Sequence, residues 1–373
     1  MRTRRKTASW HRKGLDKSDL DLTNEEVVAA LAALQGKPAI YHCVSRIVNR
    51  ERVLKREERD MFVRFMRRYE VFSQVNVLTY CVMSNHFHIL LEVPEAPEDF
   101  GASWSDVRLL KHLELIYNES KIAEIGWELA QLRALGDLEA VECFRNRFFN
   151  RMWDLSEYMK IVKQCFSQWF NRKHGRCGVL WEDRFKSELV EEGHATRRVA
   201  AYIDLNPVRA GLARDPKDWR WSGYSEAVAG KARALEGLQW ILFEDALMLM
   251  NEERAAREVA DPKQVLRDYR MALFSAGEEH LRDERLKRFG ISRERVGNVL
   301  AQGGRLSEAE MLLCRTRYFL DGVAIGSESF INHLFVLMRE NFGPERKTGA
   351  RRMRRVESSL RTLRDLQKNA LRC

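Results

Sequence analysis

The sequence predicts an α+β fold centred on a four-stranded antiparallel sheet, and three observations carry that prediction. Runs rich in β-branched and aromatic residues alternate with amphipathic stretches in the order strand, helix, strand, strand, helix, strand. The polar pair Ser84-Asn85 separates the second and third strand runs, as a hairpin requires. Beyond residue 230 only helical segments are recognisable, so the sheet is expected in the middle of the chain.

The first strand is "AIYHCVSRIV", directly after Pro38. In "KREERDMFVRFMRRYEVF" the residues Met61, Phe62, Phe65, Met66 and Tyr69 recur at helical spacing, giving the first core helix. "NVLTYCVMS" and "HFHILLEVP" are the hairpin strands, the second closed by Pro94. Residues 95–153, including "DVRLLKHLELIYNESKIAEIGWELAQLRAL", are charged and helical and interrupt the sheet as an inserted lobe. "LSEYMKIVKQCFSQWFNRKHG" follows as a helix with Ser156 as N-cap and Gly175 as its stop. "GVLWEDRFKSELVEE" then reads as the last extended segment. This order is the split βαβ, ferredoxin-like pattern, with both helices on one sheet face. "HATRRVAAYIDLNPVRAGL" adds a helix ended by Asn206-Pro207, available to cover part of the other face.

The flanks read differently. Residues 1–37 comprise a basic arm and an accessory helix, with Thr23 and Glu26 as a capping box and Gly36 as its end. Residues 38–230 hold the sheet, and 231–373 form a helical, basic region containing "RKTGARRMRRVESSLR". Over all 373 residues, 64 Lys and Arg against 54 Asp and Glu give a net charge of +10, which favours a polyanionic partner. No apolar run reaches the roughly 18 residues of a spanning helix, and the N-terminus lacks the apolar core of a signal peptide, so the expectation is a cytoplasmic, nucleoid-associated protein with no membrane partner. The seven cysteines form no CxxC pair, which argues against a disulfide framework or a cysteine zinc site.

Within "SNHFHILLEV", His86 and His88 project from one strand face, about 7 Å apart, while Phe87 points to the other. Such a pair can share one metal; a hydrogen-bonded core histidine beside an incidental one is the simpler alternative. Downstream, Tyr202 and Asn206 are four apart on one helix face, so a phenol and an amide can be presented together. Two imidazoles and an amide oxygen suit Mg²⁺ or Mn²⁺.

The blocks "YHCVSR", "MSNHFHILL", "GVLWEDRFKS" and "YIDLNPVRAGL" occur in that order over about residues 38–228. In them the chain resembles the HUH endonuclease superfamily, in particular the IS200-like Y1 transposases and the REP-associated tyrosine transposases. The resemblance implies that His86 and His88 hold a divalent metal that polarises a scissile phosphate of single-stranded DNA. It implies that Tyr202 attacks that phosphate, giving a 5′-phosphotyrosine link and a free 3′-OH near a DNA hairpin. Asn206 matches the third, amide-type ligand, with a shorter arm than the glutamine often found there. Residues 38–230 are then the catalytic domain, and the extra C-terminal residues imply a monomer, with the dimer of the minimal enzymes as the alternative.

Tyr158 is the rival nucleophile, but four residues on stands Val162, which has no ligand oxygen. Lys160, Lys163, Arg172, Arg176, Arg184 and Lys186 form a candidate phosphate track, against the plainer reading of solvated surface charge. Trp169, Phe170 and Trp181 can stack unpaired bases, although such spacing more often marks core. Two other classes compete: a slow or domesticated hairpin-binding protein, and an RNA-binding sheet, which lacks its usual aromatic motif here.

Overall fold

The structure, a computed structural model, describes residues 23–35, 37, 39–97, 99, 103–242, 261–274, 322–353 and 358–364. The basic arm, Gly36 and residues 243–260, 275–321 and 354–357 lie outside the described residues. In chain order the described elements begin with α1 (Glu25–Leu34), β1 (Ala39–Arg46), α2 (Arg56–Ser73), β2 (Asn76–Val82) and β3 (His86–Val93). There follow α3 (Asp106–Leu113), α4 (Glu119–Ala134), α5 (Leu138–Phe149), α6 (Leu155–His174), β4 (Lys186–Val190), α7 (His194–Asp204) and α8 (Asn206–Arg209). The last are α9 (Gly223–Val228), α10 (Ala232–Leu242), α11 (Pro262–Phe274), β5 (Ala324–Gly326), α12 (Glu328–Leu337), β6 (Arg351–Arg352) and β7 (Arg361–Leu363).

The fold is α+β, and its sheet has seven strands in the order β2-β3-β1-β4-β5-β7-β6. The first four are the strands expected from sequence, with β2 and β3 joined by the Ser84-Asn85 turn, where the Met83 amide donates to the His86 carbonyl at 2.8 Å. β1 and β4 run antiparallel with His42 opposite Glu188. The expectation of four strands and of a purely helical region after 230 is corrected: β5 pairs parallel with β4, and β7 and β6 continue the sheet. These strands have three, three and two residues, too few to display the two-residue alternation by which a strand is read. The extended reading of 178–192 also shortens to β4 alone, preceded by a single bridge between Ile47 and Trp181.

The chain divides into two compact units. One comprises residues 55–76 and 93–180 and is helical throughout its described elements. There α2 packs on α6, with Phe62 and Phe166 edge to face at 5.3 Å and the Tyr69 hydroxyl donating to Cys165 Sγ at 3.1 Å. Asp154 rather than Ser156 caps α6, accepting from the Glu157 amide at 2.8 Å, and Gly175 ends it with a left-handed φ of 58°. The other unit holds the sheet, α1 and α7 to α12.

In the sheet unit α1 packs on α12, and its cap is Asn24 rather than the expected Thr23, with Oδ1 accepting from the Glu26 amide at 2.9 Å. The core here gathers Ile40, Leu90, Val190 and Ile325 from the sheet with Val199, Tyr202 and Ile203 of α7, Leu238 of α10 and Tyr269 of α11. The expected single helix through Tyr202 and Asn206 is interrupted: α7 ends at Asp204 and α8 starts at Asn206. Pro207 has no N–H to continue the helical ladder, so the chain breaks there while Leu205 keeps near-helical angles.

Candidate functional site

Alternation along neighbouring strands brings His42 of β1 and His86 and His88 of β3 together, and α7 covers them with Tyr202. His42 Nε2 and His88 Nδ1 share a proton across 2.9 Å, with the rings stacked 17° from parallel at a centroid distance of 5.2 Å. The rings of His86 and His88 meet edge to face at 5.1 Å. Tyr202 stands edge-on to both His42, at 6.3 Å, and His88, at 5.9 Å. Phe87 points the other way and is fully buried against Trp181, 5.4 Å between centroids.

The hydrogen bonds settle one tautomer. Asn85 donates from Nδ2 to the Arg50 carbonyl at 2.9 Å, which turns its Oδ1 toward His86 Nδ1 at 2.7 Å. An amide oxygen only accepts, so His86 carries a proton on Nδ1, and its lone pair is on Nε2 when the ring is neutral. His88 is buried, and that burial, then the charges of His86, His42, Arg209 and Arg46, holds its pKa well below the usual histidine value. It is therefore a neutral imidazole, the form that binds metals.

Two further groups brace the tyrosine. The Arg209 guanidinium lies 3.9 Å from the Tyr202 ring centroid and donates to the Tyr202 carbonyl at 2.8 Å. Asp204, fully buried at the end of α7, accepts from the Thr79 hydroxyl at 2.9 Å, the Tyr269 hydroxyl at 2.5 Å and the Tyr224 amide at 3.4 Å. Burial pushes its pKa up to about 7, against the donors Tyr269, Thr79 and Tyr224, which lower it.

The structure thus brings His86, His88 and Tyr202 together and adds His42 and Arg209. Asn206 starts α8; its amide nitrogen is buried without a hydrogen-bond partner, and the ring contacts of the cluster do not reach it. Among the described residues no three His, Cys, Asp or Glu are grouped to hold a metal. Tyr158 is fully buried in the helical unit, its hydroxyl 3.4 Å from the Met66 carbonyl. Phe170 and Trp181 are core residues, while Trp169 is half-buried with the Lys173 ammonium 5.1 Å from its ring.

The basic candidates are split between the units: Lys160, Lys163, Arg172 and Arg176 belong to the helical one, Arg184 and Lys186 to the sheet unit. Lys160 is paired with Glu157 at 3.0 Å, and Arg176 lies 5.7 Å from the Phe170 centroid. Arg172, Arg184 and Lys186 are exposed. His42 lay in plain view in "YHCVSR", but a single histidine in a strand has no pattern to mark it.

Residues 37–98 match the family model described as Transposase IS200 like. This stretch is similar to IS200-like transposases. It contains His42, His86 and His88, whereas Tyr202, Asn206 and Arg209 lie outside it. Among solved structures, one of a REP-associated tyrosine transposase bound to a REP hairpin is similar at 16% identity, covering 52% of this chain and 81% of the other with a TM-score of 0.33. No curated protein matches the chain. No described helix is long and apolar enough to cross a membrane.

Proposed function

We propose that this chain is an IS200-like transposase, a metal-dependent single-stranded DNA endonuclease and strand transferase acting near hairpins through a covalent tyrosine intermediate. The observation that carries the reading is Tyr202 edge-on to a pair of linked histidines, with His86 on the same strand as His88. The residues fit a divalent cation: neutral His86 has its lone pair on Nε2, burial favours the neutral form of His88, and Asn206 carries an amide oxygen of the kind that hard cations take. His86 and His88 would hold Mg²⁺ or Mn²⁺, with Asn206 as the third donor by analogy with the family. Bound there, the cation supplies Lewis-acid polarisation of a phosphate oxygen.

Tyr202 supplies the nucleophile. Its phenolic oxygen forms a bond to phosphorus, the bond to the 3′-oxygen breaks, and that oxygen takes up a proton in place of the one the phenol gives up. A phosphodiester replaces a phosphodiester, so the linkage can be passed to another 3′-OH without an external energy source. Arg209 contributes by its charge over the Tyr202 ring, which favours the developing phenolate. Lys163, Arg172, Arg184 and Lys186 are candidates for phosphate contacts, consistent with the net charge of +10.

The test is incubation of purified protein with Mn²⁺ and single-stranded DNA bearing a hairpin. A denaturation-resistant protein–DNA adduct is expected from the wild type and none from Tyr202→Phe; an adduct in that variant removes Tyr202 from the mechanism. His86→Ala should stop cleavage while hairpin binding and the melting temperature persist. The second reading, a hairpin-binding protein that does not cut, is favoured by one observation: Tyr202 is only 4% exposed. Hairpin binding without any adduct would select it.

A further inference from the structure

We propose that His42 is a positioning residue that fixes the tautomer of His88, so that His88 presents the lone pair of Nε2 to the cation it shares with His86. The inference rests on the metal-site reading of His86 and His88 given above. One proton lies between His42 Nε2 and His88 Nδ1, which are 2.9 Å apart. If it sits on His88 Nδ1, the lone pair of neutral His88 is on Nε2 and can bind a cation. If it sits on His42 Nε2, the remaining proton of His88 occupies Nε2 and closes that nitrogen to a cation.

Both rings are almost wholly buried, His42 1% and His88 2% exposed, so bulk water does not replace the bond. The near-parallel stacking of the two rings leaves little freedom to redirect it. His86 shows the same device with a partner of known polarity: the Arg50 carbonyl orients Asn85, and Asn85 Oδ1 forces the proton of His86 onto Nδ1. With the shared proton on His88, His42 does for His88 what Asn85 does for His86. Each imidazole is then held through Nδ1, which orients the ring and leaves Nε2 for the cation.

Two readouts test this: calorimetric Mn²⁺ affinity, and ¹⁵N-histidine spectra of the metal-free protein, which report the protonated nitrogen. The His88 signal is assigned by its loss in His88→Ala. In the wild type His88 is expected as the Nδ1–H tautomer. His42→Leu, which removes the acceptor, should weaken Mn²⁺ binding by about tenfold or more and lose the Nδ1–H signature of His88. His42→Gln, whose Oε1 falls near the place of Nε2, should retain both. Unchanged Mn²⁺ affinity in a folded His42→Leu variant, or an Nε2–H tautomer of His88 in the wild type, overturns the proposal. The wild-type tautomer decides the matter even if His42→Leu does not fold. Absence of Mn²⁺ binding by the wild type, or wild-type binding by His88→Ala, instead overturns the metal-site reading on which it rests.

Discussion

At the scale of single residues, the tyrosine's support is a buried acid. Asp204 closes α7 two residues after Tyr202 and ties it to β2, α9 and α11 through Thr79, Tyr224 and Tyr269. Asp204→Ala leaves two buried hydroxyls and an amide without their acceptor, at a cost of about 3 kcal/mol. Urea denaturation should show the midpoint lowered with the slope unchanged; a midpoint equal to wild type would mean the tie is dispensable. His86, His88 and Tyr202 were legible in the sequence because two histidines on one strand face and a tyrosine in a family-like block form patterns. Asp204 was not, since its partners Thr79 and Tyr269 are 125 and 65 residues away, and nothing local distinguishes it from a surface acid. Asn206 was expected one turn beyond Tyr202 on a continuous helix, and Pro207 breaks that helix.

At the scale of elements, one buried carboxylate adds polar ties to the packing of α2 on α6. Glu58, 3% exposed, accepts from its own helix start at the Lys55 amide, 3.1 Å, and from Lys173 Nζ at 2.8 Å and His174 Nε2 at 3.1 Å near the end of α6. Burial alone would raise its pKa, but the hydrogen bonds from Lys173, the backbone and His174 outweigh it and hold the group below the usual carboxylate range. The folded state therefore binds fewer protons at Glu58 than the unfolded state as both titrate. The stabilisation is fully present above the unfolded value, near 4.5, and is lost as pH falls through the lowered folded one. Glu58→Gln should cost about 2 kcal/mol at pH 7, and the gap between the two proteins should close in acid. Melting at pH 7 and at pH 3 checks it; a gap that does not narrow assigns the effect to packing. Long elements such as α2, α6, β1 and β3 could be read from sequence because their periodicity repeats several times. The cap of α6 was misread by two residues because "WDLSEY" offers both Asp154 and Ser156, and only the amide geometry chooses between them.

At the scale of the whole molecule, the described sheet covers its strand edges with segments of its own chain. An exposed strand edge invites pairing with a second copy. Here the β4 edge is taken by β5 of the same chain, β5 by β7, and β7 by β6, which ends the described sheet with two exposed arginines. At the opposite edge, the Val82 amide of β2 donates to the Trp221 carbonyl at 2.9 Å, and Cys81 bridges Ser222. The length beyond the catalytic block leads to the expectation of a monomer, with a dimer as the alternative; the strands that cover the β4 edge are not legible, because strands of two and three residues acquire meaning only from the neighbours they pair with. Tyr202 meets His42 and His88 of its own chain, the arrangement expected if one chain forms the proposed site. Light scattering should therefore give the mass of one chain over the micromolar range, against the dimeric alternative. A mixture separates the cases further: Tyr202→Phe supplies intact histidines and His86→Ala an intact tyrosine, so chains that exchange their tyrosine helices recover adduct formation on mixing. On the reading that the tyrosine serves its own histidines, the mixture should stay as inactive as either variant alone, and recovery of the adduct would show that the site is shared between chains.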